Sequence, residues 1–165
     1  MITRVAKLLL ISGVAFFYTL VVFNNLTDFN SNYEFVHHVL AMDTTFPANH
    51  GMWRALPGHR VQLAFYVAII AWEIVNTLLL WWGFGRLVRA IRLPVGEFSA
   101  AKAVAVMALT LSLMMWLVAF LSVGAEWFLM WQSRIWNGQE AAFRMFTVVG
   151  VVLLVLLQPD VEGQP

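Results

Sequence analysis

Four stretches of this chain are apolar over membrane-scale lengths, and its polar residues gather between them. A helix needs roughly 20 mostly apolar residues to cross the hydrocarbon core. Residues 5–23, 61–82, 103–125 and 141–157 meet or approach that length. The fourth run is the shortest, and Arg144 near its start is read as snorkelling toward an interface. The first run carries Arg4 and Lys7 ahead of an apolar core but continues into Phe23-Asn24-Asn25 without a small-residue cleavage pattern, so it is read as an uncleaved span. Between the first two runs lies the polar and aromatic segment 24–60, which holds all four histidines. The pattern predicts an all-α fold: a four-transmembrane-helix bundle over 1–165 with a structured outer cap containing short amphipathic helices.

Within the cap, Ser31-x-x-Glu34 has the form of a capping box and predicts a helix starting near Asn32. Phe35, Val36, Val39 and Leu40 then fall on one stripe, with Glu34, His37, His38 and Ala41 mainly on the other. Asp43-Thr44-Thr45 followed by Pro47 predicts a second short helix, ended by Pro57-Gly58. The third run predicts a helical overhang from Glu126 to Trp136, stopped at Asn137-Gly138 and packed against the cap. In the loop between the second and third runs, Arg86, Arg89 and Arg92 recur every three residues and predict a basic helix face toward lipid phosphates; Pro94 and Gly96 break it, and Ser99 caps the third span. The tail after Pro159 is read as frayed.

Composition agrees with the pattern. The chain is 61% hydrophobic and only 12% charged, against about 25% charged in soluble domains. A net charge of +1 gives no footprint for nucleic acid. The absence of cysteine excludes disulfides, thiolate metal sites and a cysteine nucleophile. Lys and Arg are richer on the side of Arg4, Lys7, Arg86, Arg89, Arg92 and Lys102 than on the side of Arg54, Arg60, Arg134 and Arg144. By that asymmetry both termini are cytoplasmic and the cap faces outward.

Two places carry candidate chemistry. Glu73 lies inside the second span with Asn76 and Thr77 one turn away. A carboxylate there is costly and points to a proton, ion or ligand site, or to an interhelical hydrogen bond that fixes packing; the packing reading is favoured, with Thr110, Ser112 and Thr147 as the expected neighbours. The second place is a partner or ligand surface made of Glu34, His37, His38, Asp43, His50, Trp53, Arg54 and His59. Adjacent residues on a helix point about 100° apart, so only Glu34 and His38 form a facing pair and no metal is expected. No span holds an interior histidine for haem, and no cofactor is expected. Trp53 and Arg54 with Trp127, Trp131 and Arg134 are read as an aromatic and cationic anchor at the interface.

In the strings FNNLTD (Phe23 to Asp28), FVHHVLAMDTTFP (Phe35 to Pro47) and MWRA (Met52 to Ala55), the chain resembles bacterial proteins described only as predicted small integral membrane proteins, a domain of unknown function. The resemblance extends over nearly the whole chain and implies a four-span inner-membrane protein. It brings no activity, substrate or catalytic residues. The expected role is a non-catalytic accessory or assembly subunit, with the lipid bilayer and other integral membrane subunits as partners. The alternatives are a small binding module for a metal, quinone or lipid and, last, an oligomeric transporter.

Overall fold

The computed structural model describes residues 1–160. Helix α1 spans Ile2–Thr27, α2 spans Phe29–Ala41 and α3 spans His59–Ala90. Helix α4 (Val95–Ala101), α5 (Ala103–Met114) and a π-helical stretch (Met115–Trp127) follow one another within a third membrane-length rod, and α6 spans Gln139–Leu157. Four helices are therefore long and apolar enough to cross a membrane, and no strand occurs among the described residues. Each contains the predicted apolar run and extends past it. The 32 residues of α3 amount to about 48 Å, well beyond the roughly 30 Å hydrocarbon core.

The bundle core forms where α3 packs on α1 and α5, and α6 packs on α5, the π stretch and α1. Residues Ile11, Ala15, Tyr18, Leu80, Ala105, Leu109, Met115 and Val149 are fully enclosed there. Gly83 sets the closest approach, because a Cβ on it would lie 2.8 Å from the Ala105 backbone. Helices in membranes associate through such small residues. Gly83→Ala is expected to cost about 2 kcal/mol, the upper end of the overpacking penalty, because the clash is with backbone, less the helix propensity gained. Thermal unfolding in mild detergent checks this, and an unchanged midpoint would contradict the close α3–α5 contact.

The cap differs from the predicted pair of short helices. Helix α2 starts at Phe29, because only Asp28 interrupts the chain after α1: the Asp28 N–H bonds Asn24 O and the Asn32 N–H bonds Asp28 O. The Ser31 and Glu34 side chains therefore do not form the cap box, and α2 has no side-chain N-cap bond. Met42, at φ 55, ends α2 in the left-handed region. Such a conformation costs a non-glycine residue about 1–3 kcal/mol, opposed here by complete burial of its side chain. The chain then doubles back, and the Leu56 N–H bonds Leu40 O. No helix forms at Pro47; a single 3-10 turn at Met52–Arg54 is all that fits.

The overhang is also different. The third rod ends at Trp127, Leu129 turns the chain at φ 55, and only a 3-10 turn at Met130–Gln132 follows. It does pack against the cap as expected. Thr44 Oγ1 donates to Ser133 Oγ at 2.9 Å, and the Phe46 N–H reaches Gln132 Oε1 at 3.1 Å. Val39, Leu40, Met42, Ala125, Phe128 and Met130 make a second small core beneath it.

At the opposite end, Arg4 donates to Ile91 O and Leu93 O and lies over the Phe98 ring. Helix α3 stops at Ala90, so Arg92 lies beyond it, and Pro94 rather than Ser99 heads the third rod. The tail is tied down as far as Asp160: Lys7 and Lys102 both donate to Gln158 O and both pair with the Asp160 carboxylate. The rest of the tail, expected to fray, lies outside the described residues.

Candidate functional site

Gln62, Tyr66, Glu73 and Asn76 occupy one buried face of α3, and they organise the polar chemistry of the molecule. Gln62 is only 1% exposed. Its Nε2 donates to Leu56 O at 2.8 Å, which leaves Oε1 as the acceptor for what lies above it. His37 Nδ1 stands 2.8 Å from that oxygen and the Tyr33 hydroxyl 3.2 Å. The amide oxygen has no proton to give, so His37 Nδ1 carries the hydrogen. The Tyr33 hydroxyl also stands 2.7 Å from His59 Nδ1.

His38, next along α2, is held from another side. Its Nδ1 lies 2.8 Å from Asp43 Oδ2, its Nε2 lies 3.6 Å from Glu34 Oε2, and its ring stacks on Trp136. The Glu34–His38 pair thus matches the spacing argument. His37 does not, because its ring centroid is only 4.9 Å from that of His38. One nitrogen of each histidine and one oxygen of Glu34 fall within 4.8 Å of one another. Gln62 holds one ring through Nδ1 and Asp43 holds the other through Nδ1. His50 lies exposed on the turn, outside this cluster.

Arg54 lies 5.7 Å from the Trp53 ring and 5.5 Å from the Trp127 ring. Trp131 pairs instead with Phe46. The side chain of Trp53 remains 76% exposed.

Glu73 is 3% exposed, and its partner is Asn25, whose Nδ2 donates to Oε2 at 2.6 Å. Tyr66 donates to Asn25 Oδ1 at 3.1 Å, which fixes the amide orientation. None of the neighbours expected from sequence is bonded to Glu73. Ser112 accepts from Asn76 Nδ2 at 2.6 Å, while Thr110 and Thr147 bond carbonyls of their own helices. Thr77 donates to Glu73 O, and so supports the backbone rather than the carboxylate. Asn25, Tyr33, Gln62 and Tyr66 are the residues that sequence reading passed over. The helical spacing of Gln62 and Tyr66 with Glu73 and Asn76 was the available signal.

A cleft of about 300 Å³ opens between α2, α3 and the π stretch, lined by apolar side chains including Phe35, Val39, Phe65, Phe120 and Phe128. Trp72 also lines it, and its buried indole N–H has no acceptor among the described residues.

The family model described as predicted small integral membrane protein (DUF2165) matches residues 3–159 of the chain. No curated protein and no solved structure matches it.

Proposed function

The chain belongs to the family of predicted small integral membrane proteins, and on that premise we propose that it is a non-catalytic accessory or assembly subunit that binds other integral membrane subunits through its cap. One observation carries this reading. The cap is bonded to the turn that follows the third rod, yet Phe46, Trp53, Trp127, Trp131 and Ile135 remain exposed. Rigid exposed aromatic side chains are the kind of surface that supplies interface anchors at low entropic cost. Many polar groups of the cap are already bonded, to one another or to α3 and the turn after the third rod, which suits recognition better than turnover. The bilayer is the other expected partner, and in this reading the membrane is the bacterial inner membrane with both termini on the cytoplasmic side.

A photo-crosslinking residue in place of Trp53 tests the proposal in native membranes. A discrete protein adduct that persists in native gels after gentle extraction is the expected result. Adducts to lipid alone, together with a monomer at every protein concentration, would overturn it.

The cleft favours a second reading, a small module that holds a molecule with a long apolar tail and one hydrogen-bond acceptor, such as a quinone or lipid. Trp72→Phe keeps the shape of the wall and removes the N–H. A quinone that raises the unfolding temperature of the native protein should do so less in this variant; equal shifts would count against the reading.

A further inference from the structure

We propose that Glu34, His37 and His38 form a binding site for a divalent transition ion of the zinc type at the surface of the cap. The argument rests on where the protons are. Gln62 Nε2 is committed to Leu56 O, so Gln62 Oε1 accepts and His37 Nδ1 donates. A neutral imidazole that donates from Nδ1 presents a lone pair at Nε2. His38 is set the same way by Asp43, a carboxylate 2.8 Å from Nδ1, which turns Nε2 toward Glu34. One ring nitrogen of each histidine and one oxygen of Glu34 lie within 4.8 Å of one another, and on the Glu34 side the His38 atom is Nε2. Such a set of electron-pair donors is relieved by a positive charge among them, either a bound cation or a proton on His38.

Its chemistry matches the ion. Zinc takes histidine nitrogen and carboxylate oxygen at about 2.0–2.2 Å in a tetrahedron, which places ligand atoms about 3.4 Å apart. The 3.6 Å between His38 Nε2 and Glu34 Oε2 is already close to that edge. The outer partners are also those of metal sites, where ligating histidines hand their second N–H to a carboxylate or carbonyl that fixes tautomer and ring orientation. Asp43 and Gln62 play those parts here, and Gln62 is held rigidly because it is buried and bonded through both amide atoms. Three protein ligands leave a fourth position for water or for a donor from another molecule. The site stands independently of the partner-binding role.

The experiment uses the full chain, purified in mild detergent, stripped with chelator and titrated with Zn²⁺ alone by calorimetry. One site per chain is expected. It should disappear in the His37→Ala/His38→Ala double variant. Asp43→Asn should weaken it about 10–100-fold, the usual effect of losing a partner that orients a ligand. Co²⁺ in place of Zn²⁺ should give the intense visible absorption of four- or five-coordinate cobalt in the native protein only. Glu34 and Asp43 are both exposed, so Glu34→Gln and Asp43→Asn keep the test decisive if the double variant does not fold. No binding by the native protein, unchanged affinity in these variants, or a weak six-coordinate cobalt spectrum would each overturn the proposal. In that event the cluster is an ion pair in which a protonated His38 bridges Glu34 and Asp43.

Discussion

Asp160→Ala destabilises the folded protein by about 3 kcal/mol, the lower end of the range for removing one member of a buried ion pair. The Asp160 side chain is 2% exposed and pairs with both Lys7 and Lys102, whose side chains are themselves buried. Deleting the carboxylate leaves two ammonium groups with Gln158 O as their remaining acceptor. The loss stays below the upper limit because a tail that lets go allows both lysine stems to reach water. Unfolding of the purified protein by denaturant at neutral pH measures the difference.

The pH dependence has a definite sign. Burial pushes the Asp160 carboxyl up, but hydrogen bonds from Lys102 and Lys7, with their charges, outweigh it and hold it below the usual carboxylate value. A carboxyl depressed in the folded state contributes stability that is fully present above its unfolded value of about 4 and is lost as pH falls through the lowered folded value. The stability gap between the native protein and Asp160→Asn is therefore expected to be constant from pH 7 to about 5 and to shrink only below about 4. A gap already closed at pH 5 would show that the pair does not hold the carboxyl down.

Glu73→Ala is the second large effect, at about 2–4 kcal/mol. The substitution opens space in the bundle and strips the acceptor from Asn25 Nδ2. Glu73→Gln keeps both volume and acceptor and should cost less than about 1 kcal/mol. The contrast decides what Glu73 is for. A side chain that ties α3 to α1 needs an oxygen at that place but not a charge, so the glutamine variant should also keep any crosslinked complex intact. If glutamine costs as much as alanine, or abolishes the complex while the fold survives, the ionisable group itself is required and the packing account fails.

Much of this architecture is legible in the sequence because membrane spans obey a length rule that neighbours do not override. The runs 5–23, 61–82, 103–125 and 141–157 each became a helix, since the backbone in lipid has no other way to satisfy its polar groups. The amphipathic stripe of α2 was legible for a related reason: Val39 and Leu40 go to the small core and His37 and His38 do not. Helix starts and stops in the cap were less legible. Ser31 and Glu34 lost their capping role because α2 follows α1 after a single residue, and Pro47 lost its helix because the chain had to return to pair Leu56 with Leu40.

Pairings between distant segments belong to the tertiary structure. Asn25 meets Glu73, and Asp160 meets Lys7 and Lys102, only because helix packing fixes the register of one rod against another. The same holds for His37, whose ring is bonded by Gln62 from α3. The sequence by itself determined four spans, an ordered cap and the presence of one buried carboxylate, because each follows from the free energy of placing a residue in lipid or in water. Which polar groups meet was decided by the fold alone, because a hydrogen bond depends on ångström-scale positions that periodicity along one helix does not carry.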